Sequence, residues 1–183
     1  SRPSWSMVTQ VYTLLSIPIY IFAIFNAKII IEFLYGSQFS EVAVYFKIFA
    51  IFTCITILGG AAFCMPVFYI LRRKALALKI QFAGGILNIV LNIILIPKYG
   101  VWGVVVATGF SQSLVGIVNM LFVRYYIKVE FPLIFEMKIL LACIIASMPI
   151  AFDNGSGFIS ILIKIAIYGF GFIAMLFLLK PLS

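Results

Sequence analysis

Long stretches without a single Asp, Glu, Lys or Arg restrict what this chain can become. Pro3–Ala27 runs for 25 residues, Ile48–Leu71 for 24 and Tyr99–Val123 for 25. Each exceeds the about 20 residues that a helix needs to cross a hydrocarbon core of about 30 Å. Ile80–Pro97 adds 18 more, at the short end of that range. In lipid every backbone amide must be satisfied within its own segment, so such runs become helices rather than open strands.

Composition agrees. Apolar residues make up 65% and charged residues 10%, at a mean hydropathy of +1.25, against roughly half and a quarter in soluble domains. A water-soluble globule and a disordered chain are both excluded. The expected fold is an all-α, polytopic integral membrane helix bundle.

Six helices are predicted, at about 8–34, 42–70, 76–96, 102–124, 134–152 and 157–179. The fifth needs extension back to Phe131 to reach spanning length, and the sixth must tolerate Lys164. Asp153-Asn154-Gly155-Ser156-Gly157 reads as the turn between them. Connections are short, so no soluble domain intervenes. Six spans place both termini on one face. That face carries nine cations: Arg2, Arg72, Arg73, Lys74, Lys79, Arg124, Lys128, Lys138 and Lys180. The opposite face holds four: Lys28, Lys47, Lys98 and Lys164. The excess predicts cytoplasmic termini, and it accounts for the net charge of +8 through loops and anionic lipid rather than nucleic acid.

Histidine is absent, which removes His triads, His metal sites and His proton relays. Cys54, Cys64 and Cys143 lie in apolar runs without CxxC spacing and read as buried thiols. The five acids, Glu32, Glu41, Glu130, Glu136 and Asp153, sit at or near loops, so no carboxylate dyad is predicted. Neither catalytic residues nor a metal or cofactor is expected.

Between lipid-embedded helices, small residues and amides mark contact faces. Gln81, Gly84, Gly85, Asn88 and Asn92 recur at helical steps in the third helix, and Thr108, Ser111, Gln112 and Asn119 share a sector of the fourth. Thr53, Thr56, Gly59 and Gly60 ahead of Pro66 predict close packing and a kink in the second. In the sixth, Gly157, Ser160, Lys164, Tyr168 and Gly171 share one face, so Lys164 is expected to point inward. Lys28 and Glu32, one turn apart, suit a local ion pair. Lys47 lies about a turn into the second helix.

The stretch from Leu87 through Pro97-Lys98-Tyr99-Gly100-Val101-Trp102-Gly103 to Ala107-Thr108 reads LNxxLIPKYGxxGxxxAT. It resembles the signature of the Wzx-type polysaccharide flippases of the MOP superfamily. Ile29–Ala43, with Tyr35-Gly36 at its centre, resembles that family's second recurrent block. The resemblance spans about residues 29–112. It implies the last six helices of a fourteen-helix transporter with both termini in the cytoplasm of a bacterial inner membrane, so the chain is expected to be the downstream part of a longer protein. It further implies translocation of an undecaprenyl-diphosphate-linked oligosaccharide by alternating access, with the glycan in a hydrophilic cavity and the tail in lipid. Polysaccharide polymerase and chain-length regulator are the implied protein partners. A cationic lining would lower the barrier to a crossing diphosphate, and the candidates are Lys164, Lys47 and Lys28.

Three other functions compete. A drug or cation antiporter of the same superfamily would call for an acid within the membrane. A polytopic glycan-modifying enzyme would call for a catalytic His, Asp or Arg in a large outer loop. A structural membrane subunit would co-purify with a fixed partner.

Overall fold

The computed structural model describes residues 5–128, 132–151 and 158–179. The turn predicted at Asp153–Gly157, together with Arg2, Glu130 and Lys180, lies outside them. Every regular element described is helical: α1 (Trp5–Phe25), α2 (Ala27–Tyr35), α3 (Val42–Ile57), α4 (Cys64–Ile70), α5 (Lys74–Tyr99), α6 (Val101–Ile127), α7 (Leu133–Ala151) and α8 (Phe158–Leu179), with short 3-10 turns at Ser37–Phe39 and Leu58–Phe63. Among the described residues, five helices are long and apolar enough to span a membrane, or six if α3 and α4 count as one bent span. The chain is a polytopic helical membrane protein. Phe82 at 72% exposure and Ile93 at 69% show what its helices turn outward, a surface that would aggregate in water and that lipid accepts.

Six predicted helices become eight because two break. The predicted 8–34 segment divides at Asn26, where the backbone leaves helical geometry and the amide side chain donates to the Phe22 carbonyl at 3.0 Å. The predicted 42–70 segment divides at the Leu58–Phe63 turn and bends by 62°. The bend lies ahead of Pro66. That proline occupies the first turn of α4, where its missing N–H leaves no helical bond unmade. The bend falls instead at Gly60, whose backbone is left-handed (φ +75°) and whose absent side chain leaves room for the Thr9 hydroxyl.

Pro97 likewise does not end its helix. α5 continues to Tyr99 and stops at Gly100. With φ +56° and ψ −129°, Gly100 adopts a backbone that side-chain-bearing residues avoid. It alone separates α5 from α6.

The helices pack as two compact units. In the first, the described residues of Ser1–Tyr12 and Phe52–Pro132, α5 and α6 form an antiparallel hairpin. Cys64, Phe68, Ala77 and Val123 make a buried core beside it. Ser113 of α6 donates to the Phe52 carbonyl at 3.3 Å. In the second unit, Thr13–Ile51 with the described residues of Leu133–Ser183, α7 packs along α8. Gly171 faces Ala146 there, close enough that a Cβ would sit 3.5 Å away. Ala27, Ile31 and Ala43 bring α2 against the start of α3. Small residues at these contacts let backbones approach where no hydrophobic force between helices exists. All three cysteines are free and buried.

Candidate functional site

In the first unit the amide stripe of α5 meets the hydroxyl stripe of α6. Asn88 Nδ2 donates to Thr108 Oγ1 at 3.3 Å and to Ser111 Oγ at 3.0 Å. Asn92 Nδ2 donates to the Asn88 carbonyl at 2.9 Å and to Asn88 Oδ1 at 3.0 Å, while Ser111 Oγ donates back to the Thr108 carbonyl. Asn88, Asn92 and Thr108 thus converge as their spacing predicts, and Ser111 joins them. The network has spare acceptors: Asn92 Oδ1 is buried without a hydrogen-bond partner, and so is Oδ1 of the buried Asn119 further along α6. Such atoms are where water or a polar solute finds a place.

The remaining members of the two stripes diverge. Gln81 and Gln112 are exposed rather than at the seam. Gly84 abuts Val115, whereas Gly85 opens onto free space. The motif residues have local roles. Lys98 and Tyr99 are exposed at the hairpin tip, Gly100 makes the turn, and Gly103 is buried against the Leu95 backbone.

The cationic candidates all belong to the second unit. Lys164 is 4% exposed, on the inward face that the sequence predicts. One turn on, the Tyr168 hydroxyl donates to the Pro18 carbonyl of α1 at 2.9 Å, and its ring lies 5.4 Å from that of Phe22. One turn back, Ser160 Oγ is buried with no hydrogen-bond partner. Lys47 is half-buried on α3. Lys28 points outward with its side chain 72% exposed and pairs with Glu32 at 3.8 Å. It is an interfacial ion pair, the simpler of the readings its spacing allows.

Glu136 is the residue that sequence position undervalues. It lies near a loop, in the first turn of α7, yet it is 1% exposed and accepts a loose 3.5 Å hydrogen bond from the buried Thr13. A signal existed. Glu136, Ile139, Cys143, Ser147 and Ile150 are all buried and recur at steps of three and four, so the acid heads the packing stripe of its helix. A buried carboxylate and a buried ammonium in one unit are costly unless protein or water solvates them, and each makes a polar or electrostatic interaction.

No family model matches the chain, and neither does any curated protein or solved structure.

Proposed function

We propose that this chain is the C-terminal part of a flippase that moves an undecaprenyl-diphosphate-linked oligosaccharide from the inner to the outer leaflet of a bacterial cytoplasmic membrane. The observation that carries the reading is Lys164, a cation almost fully buried about 7 Å from the middle of a membrane-length helix. A fixed ammonium inside a span offsets part of the barrier to a passing diphosphate. Ser160 and Tyr168 on either side of it supply the hydroxyls that suit a sugar. The Leu87–Thr108 signature supports the family, and the break between α3 and α4 suits a helix that bends during alternating access. Lys47 joins the proposed lining as a half-buried second cation. Lys28, turned outward onto Glu32, contributes at the outer interface.

In the full-length protein, Lys164→Ala is expected to reduce surface display of the glycan at unchanged membrane abundance, with Lys164→Arg retaining part of it. Export at the original level in the alanine variant overturns the assignment.

Glu136 favours a second reading, an antiporter of the same superfamily coupled to protons or a monovalent cation. A carboxylate that fully buried, with a hydroxyl beside it, has the chemistry to bind and release a small cation. Loss of transport in Glu136→Gln, with Lys164→Ala unaffected, would favour that reading over the flippase.

A further inference from the structure

One end of the α5–α6 hairpin concentrates cations. Arg72 and Arg73 precede α5, Lys74 and Lys79 lie in its first turns, and Arg124 in the last turn of α6 is followed by Lys128, all six exposed. No Asp or Glu occurs among the described residues of this unit, so none of these neutralises them. The Arg73 guanidinium lies 4.4 Å over the Tyr126 ring. That ring stacks at 6.4 Å on Phe122. From Phe122 an apolar furrow of about 330 Å³ runs along the hairpin, walled by Ile80, Ala83 and Leu87 on one side and Leu114 and Val118 on the other, with Lys79 at its edge.

We infer that this furrow holds one acyl chain of an anionic phospholipid whose headgroup phosphate rests between Arg73 and Lys79. The occupant follows from charge complementarity and from the apolar lining of the furrow. A cluster of six cations with no acid among the described residues of its unit calls for an anion. The furrow continuing from it is lined by hydrocarbon, which a soluble anion would leave unfilled. Arg73, stationed over the Tyr126 ring, is a guanidinium, a group whose N–H donors match phosphate oxygens in pairs. The inference is independent of the flippase reading, since it uses neither Lys164 nor any transport step.

The test uses the purified full chain in detergent, equilibrated with equal amounts of phosphatidylglycerol and phosphatidylcholine of matched acyl chains, and counts retained lipids by native mass spectrometry. The protein is expected to retain one phosphatidylglycerol selectively. Each surface cation contributes about fivefold to such binding, so Arg73→Gln with Lys79→Gln should lower the selectivity by about 25-fold. Ala83→Phe fills the furrow from an exposed position and should abolish retention with the cations intact. Lys98→Gln, at the opposite end of α5, should change nothing. Equal retention of the two lipids, or a loss with Lys98→Gln matching that of the double variant, overturns the inference. So does displacement of phosphatidylglycerol by added polyprenyl diphosphate through the same residues, or a second copy of the chain found there in place of lipid.

Discussion

A Cβ built on Gly103 would lie 2.6 Å from both the carbonyl carbon and the carbonyl oxygen of Leu95. Backbone therefore meets backbone at the closed end of the α5–α6 hairpin, and a methyl group cannot be accommodated by turning a side chain aside. Gly103→Ala should force the helices apart, at a cost of about 1–3 kcal/mol by analogy with overpacked cores. The measurement is the unfolding midpoint in detergent, with Gly85→Ala as the comparison. Gly85 sits on the same hairpin with open space around it, and its substitution should be neutral or slightly stabilising.

Backbone conformation sets a second pair of expectations with opposite signs. Gly100 joins the helices in a left-handed geometry (φ +56°), so Gly100→Ala should destabilise by about 1–3 kcal/mol. Lys128 closes α6 with φ 48° and ψ 40°, a conformation that costs an ordinary residue about 1 kcal/mol and glycine almost nothing. Lys128→Gly should therefore raise the midpoint. A fall would show that its ammonium contributes more than its backbone costs.

Asn88 links Thr108 and Ser111 across the hairpin and also accepts from Asn92. Measured polar pairs between membrane helices average about 0.6 kcal/mol, so Asn88→Leu should cost only about 1–2 kcal/mol in stability despite removing three bonds. Thr108→Val should add less in the Asn88→Leu background than alone, because its partner has already gone. Full additivity in that double-mutant cycle would mean that the two side chains do not interact.

Much of this was legible in the sequence. Charge-free runs located the spans, and three- and four-residue spacing brought Asn88, Asn92 and Thr108 to one seam. The same spacing put Lys164 on the inward side of α8. What escaped depends on local geometry that periodicity does not carry. A long helix breaks at Asn26, where the backbone departs from helical geometry (φ −110°, ψ 18°), and nothing in hydropathy marks that. Pro97 reads as a stop, yet α5 continues to the next residue able to take a left-handed turn, Gly100. Gln81 and Gln112 fall within the stripes on an ideal helical wheel, yet both are exposed, because spacing does not say how far along each helix the contact extends. Glu136 was obscured by its place beside a loop, since distance from a helix end says little about which way the residue faces.

The spanning arrangement can be checked with thiol labelling, because the native cysteines are buried and should be silent. Cys54, Cys64 and Cys143 are all buried in helices, so a membrane-impermeant maleimide should leave the unaltered chain unmodified in intact cells. Single cysteines are then introduced by Lys74→Cys and Lys98→Cys. These positions open and close α5, and at 1.5 Å per residue they stand roughly 36 Å apart, more than the hydrocarbon thickness. If α5 crosses the bilayer, one site reacts in intact cells and the other only after permeabilisation. The Lys and Arg excess read from the sequence predicts Lys98 on the outer side, so that variant is expected to be the reactive one. Reaction only at position 74 would reverse the orientation and place the hairpin tip in the cytosol. Equal labelling of both in intact cells would mean that α5 lies along the membrane rather than through it.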